Sequence, residues 1–543
     1  MSRWLLIVFC FVSCATGEDF PSLITANASI AIVLDRQFLG DRYQTILDEL
    51  KDYIKELARV QLKHGGVVVH YFSWTAISLK KGYLAVFSVA SCEDTWSLFS
   101  RTQEEELLLF ALTEVDCPRL PSNEAITVTN VDPGEELPQI ILDMRTTSAF
   151  KWKSAIILHD DTLSRDMISR VVQSLTLQID QGITKPVSVS VYKMKHEINE
   201  YLRRKEIHRV LSKLPVKYIG ENFLAIVTTE VMASLSQIAR DLLMSHTLAQ
   251  WLYVISDTNL HKGNLSAKIN ALYEGENVAF MYNVTDDSPD CQNGIMCYCR
   301  EMLSAFVSAL DSAVQDEFDV AGQVSDEEWE AIRPSKHQIR NMLLKHMQQY
   351  ISSKSACGNC STWRALAADT WGATYRTFED SEEPARNITS NVTARGVIEN
   401  IELLQVGYWR PVDAIRYDDV LFPHVEHGFR GKELPVVSYH NPPWTIIQSN
   451  ESGSIVKYSG LMFDIFHQLA VTKNFTLKVL LPMHVKRLLT SNISTEDMSQ
   501  DQEREICLAA VSKGQVAIAV AAFTVLSDPP AGNCVLVCAT CLI

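Results

Sequence analysis

Short β-rich runs alternate with longer amphipathic segments from Ser29 onward, and this alternation constrains the chain more than any other feature. The strand-like runs include SIAIVLD (29–35), GVVVHYF (66–72), AITVTN (125–130), KSAIILHDD (153–161), VSVSVYKM (187–194), FLAIVTT (223–229), WLYVISD (251–257) and NVAFMYNV (277–284). Segments of helical period fill the gaps at 43–62, 164–178, 196–212, 230–246 and 298–314, several opening on an Asp, Ser or Thr cap. Repeated βα units of this kind predict parallel sheets covered by helices on both faces. Such sheets take ligands beyond the carboxyl ends of their strands. The span up to residue 376 has room for two lobes of this type with a cleft between them.

A chain of 543 residues suggests two to four folding units at roughly 100–200 residues each. Its net charge of −16 argues against a nucleic-acid partner, because binding phosphates needs basic patches. At the N-terminus Arg3 precedes the apolar run Trp4 to Val12, and small residues follow at Ser13, Ala15 and Gly17. This pattern predicts a signal peptide over residues 1–17, too short for a membrane span of about 20 residues. Asn-x-Ser/Thr sequons at Asn27, Asn264, Asn283, Asn359, Asn387, Asn391, Asn450, Asn474 and Asn492 support a secretory route. In that compartment Cys92, Cys117, Cys291, Cys297, Cys299, Cys357 and Cys360 become disulfide candidates, with a connectivity the sequence does not give. No later stretch offers about 18 uncharged apolar residues in a row.

The expected organisation is an amino-terminal region over 18–376, a linker over 377–400 and a second unit over 401–525. The linker assignment rests on TFEDSEEPARNITSNVTARG (377–396), which is acidic and carries two sequons, since glycans stay outside cores. In the second unit ELPVVSYHNPPWTIIQ (433–448) predicts strand, turn and strand. SGLMFDIFHQLAV (459–471) predicts a helix whose apolar stripe is Leu461, Met462, Ile465, Phe466 and Leu469. FTLKVLLP (475–482) and QVAIAVAAFTV (515–525) predict two more strands, the last apolar enough to be buried on both faces.

Sequence signatures of catalysis are missing. There is no Gly-x-Ser-x-Gly elbow, no His-Glu-x-x-His and no P-loop. The paired cysteines near 291–299 and 357–360 could hold zinc, but disulfides fit an oxidising compartment better, and Asn359 inside the second pair is a glycan acceptor. His424 and His427 in HVEH have metal-ligand spacing, yet no Glu-rich helix accompanies them, and a loop surface is expected. No metal, no cofactor and no enzyme activity are expected.

One stretch carries a specific resemblance. LLQVGYWRPVDAIRYDDVLFPHVEHGFRGKELPVVSYHNPPWTI, KYSGLMFDIFHQLAVTKNFTLKVL and VAIAVAAFTV follow one another in a fixed order of strand, proline-aromatic turn, Tyr-x-Gly, helix and strands. Residues 401–525 resemble the first half of the ligand-binding domain of ionotropic glutamate receptors. More narrowly, they resemble the arthropod antennal ionotropic receptors. Residues 20–376 resemble that family's amino-terminal domain more loosely, chiefly through WKSAIILHDD and WRALAADTWGATY. The implied fold class is α/β, a bilobed periplasmic-binding-protein-like amino-terminal domain followed by an incomplete α/β ligand-binding lobe.

The resemblance assigns ligand contacts to Tyr458, to the carbonyl of Ala522 and to the hydroxyl of Thr524. Residue by residue, packing remains an alternative for Tyr458 and strand capping for Thr524. Two departures stand out. Ala522-Phe523-Thr524 replaces the Pro-Leu-Thr of the glutamate receptors, and Pro529 stands where amino-acid-binding members carry a carboxylate-gripping arginine. Glutamate binding in the usual mode is therefore not expected. The resemblance implies a tetrameric cation channel working with other ionotropic receptor subunits at the plasma membrane of sensory neurons, gated by an unidentified small molecule. The long amino-terminal domain points to the co-receptor kind, serving chemical, temperature or humidity sensing. Residues 526–543 fit no part of the family, and a chain truncated before its pore is expected, non-conducting alone. The rival is a soluble secreted small-molecule-binding protein or decoy isoform. An ectodomain of a cyclase or G-protein-coupled receptor ranks last, because it predicts no counterpart to 434–525.

Overall fold

In a computed structural model the described residues are 22–520, apart from 25–26, 75–78, 80–81, 179–184, 196, 257–264, 266–268, 270–271, 285–293, 355–356, 358–360, 374–396, 399–401, 450–454, 490–498 and 513–515. They form two compact units. One gathers residues up to 139, 287–360 and 410–414, and the other gathers 140–286, 361–409 and the chain from 415.

The first unit is a parallel sheet of β1 (Ala28–Leu34), β2 (Val67–Ser73), β3 (Ala85–Val89), β4 (Leu108–Glu114) and β5 (Ala125–Asn130) in the order β2-β1-β3-β4-β5. The alternating side chains of β1 show why its run is apolar throughout. Ile30, Ile32 and Leu34 join the core under the helices Tyr43–Gln61 and Ile295–Ala321. Ala31 and Val33 join the opposite core under the helix Cys92–Glu104. A strand covered on both faces has no polar side to show. Phe87, Phe110 and Phe306 stack through the first core at centroid distances of 5.0 and 5.4 Å.

The second unit holds an eight-stranded sheet. Its strands are β6 (Ser154–His159), β7 (Ser188–Lys193), β8 (Asn222–Val227) and β9 (Gln250–Ile255), then, after a short β10 (Leu272–Tyr273) that lies outside this sheet, β11 (Asn277–Asn283) and β12 (Trp363–Ala368). A short β13 (Val397–Ile398) pairs with β10, and β14 (Leu403–Arg410) and β15 (Ala414–Tyr417) complete the order β15-β14-β12-β11-β9-β8-β6-β7. Pairing is parallel from β7 to β11 and antiparallel from β11 through β12 to β14. Phe223, Trp251, Tyr253 and Phe280 form a stacked row across four of the strands' positions, with centroids 4.0, 5.7 and 5.7 Å apart. The one polar atom of the fully buried Trp251 is satisfied, since Nε1 donates to the Met244 carbonyl at 3.1 Å.

Residues 403–417 thus extend the sheet of the second unit rather than opening a new one. The Trp409 indole, fully buried, donates to Asp143 at 2.7 Å and fixes β14 there. A separate three-stranded sheet follows, with β16 (Lys432–Val437) at its centre. The hairpin β17 (Ile446–Ser449) and β18 (Ile455–Ser459) stands beside it, and β19 (Phe475–Leu480) and β20 (Ile518–Ala519) pair with β16 in parallel on either side.

Among the described residues, two disulfides tie the first unit, Cys92–Cys117 and Cys297–Cys357, closing separations of 25 and 60 residues. Cys299 is a correction to the sequence-based expectation, because it is a buried free thiol. The reason is helical geometry. Cys297 and Cys299 stand two apart on one helix and so face different directions. Burial pushes the Cys299 thiol far up, which keeps it protonated and inert. Cys291 and Cys360 lie outside the described residues. In the loop-entropy account, replacing both members of the Cys92–Cys117 pair by serine lowers the unfolding free energy of that unit by about 3–4 kcal/mol. Denaturant melts of the double variant and the parent, both without reductant, check this, and equal midpoints would refute it.

Candidate ligand-binding lobe

The family of sheet strands around β16 is where the candidate contacts lie, and its local structure follows from one turn. The peptide bond Pro442–Pro443 is cis, and the turn it opens is closed by a bridge between Asn441 and Thr445. The Thr445 hydroxyl, fully buried, donates to the Tyr439 carbonyl at 2.6 Å. The helix Leu461–Lys473 has no capping side chain. Its first amides use the turn instead, Leu461 donating to the Pro443 carbonyl at 3.5 Å and Met462 to the Trp444 carbonyl at 3.0 Å. Gly460 makes this docking possible. Its φ is 113°, and a Cβ there would lie 2.6 Å from the Trp444 carbonyl oxygen.

The buried face of that helix is Met462, Phe463, Phe466 and Ala470, packed with Val436 and Val520 and with Leu434. The predicted stripe is therefore corrected by about one residue. Leu461 and Leu469 are exposed, and Phe463 takes the core position, because the Gly460 docking sets the helix rotation. Asp464 is on the exposed side, as its polarity requires.

Tyr458 lies on β18, opposite Ile447. Its ring is 4.7 Å from that of Phe463 and tilted by 44° to it, and the residue is 36% exposed. Ala522 and Thr524 lie outside the described residues. The chain just before them is held firmly. Val520 donates its amide to Val437, and its carbonyl accepts the buried Ser438 hydroxyl at 2.5 Å. Among the described residues β20 is paired on one side only. Beneath this edge Cys507 packs with Val437, Tyr439 and Val485, and burial pushes its thiol up to about 12.

The lobe is bolted to the eight-stranded sheet by a cluster that sequence reasoning missed. Lys432, the first residue of β16, places its ammonium on the Asp369 carboxylate and the Trp371 carbonyl, just past the end of β12. His424, expected on a surface loop, is instead buried in the short helix Pro423–His427. Its Nε2 accepts the amides of Thr370 at 3.1 Å and Trp371 at 3.3 Å, which assigns the ring proton to Nδ1, 2.8 Å from the Gly428 carbonyl. Asp369 Oδ1 also approaches Nε2 at 3.2 Å, and the Lys432 ammonium on the same oxygen offsets that repulsion. The Trp371 ring lies parallel on the imidazole at 5.4 Å and tilts against Phe429, which meets Phe475 at the start of β19. His427 remains on the surface side, near Asp419 at 3.6 Å. Burial works against the Asp419 carboxylate, but its bonds to Arg430 and to the Val420 amide hold it below the ordinary carboxylate range. Among the described residues no cluster of His, Cys, Asp and Glu is arranged to hold a metal ion.

Among the sequons, Asn27 and Asn474 are exposed and Asn283 is half-buried at the end of β11. Asn264, Asn359, Asn387, Asn391, Asn450 and Asn492 lie outside the described residues, as do the predicted signal peptide and most of the predicted linker.

No family model matches the sequence. The chain is 33% identical over 461 residues to Ionotropic receptor 93a of Drosophila melanogaster, an alignment that takes in 85% of this chain and 52% of that protein. The chain belongs to the arthropod ionotropic receptor family. It spans about half the length of this curated relative. The α/β class with parallel, periplasmic-binding-protein-like lobes agrees with that membership. No described helix is long and apolar enough to cross a membrane.

The Asp369–Lys432 pair is a stringent test of the junction, since the two side chains are only 3% and 11% exposed. Lys432→Met alone strands a buried carboxylate and destabilises the unit by about 3–5 kcal/mol, whereas Asp369→Leu with Lys432→Met restores most of the loss. Chemical denaturation of both variants decides it, and a single variant as stable as the parent would rule the pair out as a clamp.

Proposed function

We propose that the chain is the extracellular portion of a ligand-gated cation channel subunit, of the co-receptor type with a long amino-terminal domain. The supporting observation is the alignment to Ionotropic receptor 93a, which takes in 85% of this chain. On this reading residues 18–376 form the assembly domain, and the lobe carrying Tyr458 is half of a ligand clamshell whose closure opens a pore in the full subunit. The eight-stranded sheet suggests moving the junction between the two to just after Tyr417. Tyr458, partly exposed, covers the ligand, and the segment with Ala522 and Thr524 supplies a carbonyl and a hydroxyl. Neither offers a positive charge, and Pro529 removes the expected arginine. The ligand is therefore not gripped through a carboxylate as an amino acid is.

The proposed subunit assembles with other ionotropic receptor subunits, as a tetramer, in the plasma membrane of sensory neurons, and it serves chemical, temperature or humidity detection. It reaches that membrane through the secretory pathway, glycosylated at exposed sequons such as Asn27 and Asn474.

Expression of the full subunit in oocytes with other antennal receptor subunits tests this. Stimulus-evoked cation currents are expected, and Tyr458→Ala should weaken them at least about tenfold, the scale of a lost aromatic contact, while surface biotinylation stays at the parent level. Surface-delivered subunits that conduct under no chemical, thermal or humidity stimulus would overturn the channel reading. Secretion of a soluble, ligand-binding chain would replace it with the decoy alternative.

A further inference from the structure

The second unit contains a cavity of about 150 Å³ away from the lobe around β16, between the helix Thr229–Asp241 and the face of β9 and β11. Its helix side is a stripe of Met232, Ala233, Ser236 and Arg240. Its floor is the paired rings of Tyr253 and Phe280, 5.7 Å apart and in register on neighbouring strands. A close-packed core seldom leaves such a void. Ile269, Leu272 and Tyr273 of the crossover from β9 to β11 line it on the remaining side. Among the described residues of that crossover Leu265, Ile269 and Leu272 are the buried apolar side chains.

Gln237 stands at the exposed mouth, where its side-chain carbonyl accepts from Arg204 at 2.5 Å, and the other polar groups of the cavity are committed to one another. Arg240 Nε bonds Glu276 at 2.7 Å, and Arg240 Nη2 bonds Ser236 Oγ at 2.6 Å. Glu276 also accepts from Ser245 at 2.9 Å and from the Tyr273 amide at 3.0 Å. The guanidinium lies over the Tyr273 ring at 4.3 Å, and the Tyr253 hydroxyl bonds Ser236. The pair Arg240–Glu276 is largely buried, at 13% and 3% exposure, and its charges cancel. An entering anion would compete with Glu276 for the guanidinium, and an entering cation would face that guanidinium directly. Either would be desolvated without a partner. What the walls offer is two aromatic rings, aliphatic Met232, Ile269 and Leu272, and hydroxyls on Ser236 and Tyr253 that can each exchange one bond. An apolar cavity of this size holds about one benzene ring.

We propose that this cavity is a second, independent binding site for a small neutral aromatic molecule carrying one hydroxyl group, of the size of phenol. The ring stacks on Tyr253 and Phe280, and the hydroxyl joins the Ser236–Tyr253 bond. Occupancy stiffens the sheet of the amino-terminal region, so the site can respond to a molecule other than the one bound at Tyr458.

Titration of the full secreted chain with phenol tests this by ligand-observed NMR and by the fluorescence of Trp251, which stacks on Tyr253 at 5.7 Å. Saturable phenol binding is expected. Benzoate and benzylammonium should bind at least about tenfold more weakly, because each carries an unpaired charge into a neutral site. Ala233→Phe fills the cavity and should abolish binding. Should that variant fail to be secreted, Gln237→Trp at the exposed mouth serves in its place. Non-saturable phenol uptake, phenol binding unchanged in the filled or blocked variant, or benzoate binding as tight as phenol would each overturn the proposal.

Discussion

A carboxylate buried as deeply as Asp369 must be paired, and the pairing it finds shapes the second unit. Desolvation alone makes an isolated buried charge prohibitive. The Lys432 ammonium satisfies it and at the same time takes the Trp371 carbonyl, so one cation closes the end of β12 and the start of β16 together. His424 then holds the two intervening amides from the other side. Around this polar centre Trp371, Phe429 and Phe475 pack as a continuous aromatic wall. β16, the centre of the three-stranded sheet, starts from this point. The lobe that carries Tyr458 is thereby tied to the end of β12 through packed side chains.

Much of the sheet architecture was legible in the residues. The runs SIAIVL and FLAIV carry no charge because both faces are covered, and each lies in a strand whose ends fall within two residues of the expected bounds. The legibility failed where a segment broke its own pattern. Residues 85–89 and 108–114 are also strands, outside the runs expected from the sequence. The helix Lys336–Lys354 buries Ile339, Leu343, Leu344, Met347 and Ile351 at helical spacing, a signal that was present and passed over amid its charged and polar neighbours.

The candidate site was legible to a lesser degree, and for a different reason. Local pattern specifies an element, but its rotation is set by what it docks against. Leu461 and Phe463 are equally apolar, and only the contact of Gly460 with the Trp444 carbonyl decides which one is buried. His424 and His427 are three apart in one motif, yet one is enclosed and the other faces solvent, because Gly428 comes so close to Lys473 that a Cβ would sit 2.1 Å from its carbonyl oxygen. Asp369 and Lys432 are 63 residues apart, and nothing in either neighbourhood announces the other.

The same logic bears on what this family member can recognise. A receptor lobe that grips an amino acid places a guanidinium against the carboxylate and keeps it unpaired until the ligand arrives. Here Arg430, close to the start of β16, is bonded to Asp419. The aromatic group on the candidate surface is Tyr458, tilted against Phe463 and partly exposed. A binding surface of this kind draws its affinity from apolar contact and from cation–π attraction, and it discriminates by shape and neutral hydrogen bonding rather than by charge. On the proposed reading, such a face suits an amine or a weakly polar molecule better than a dicarboxylate.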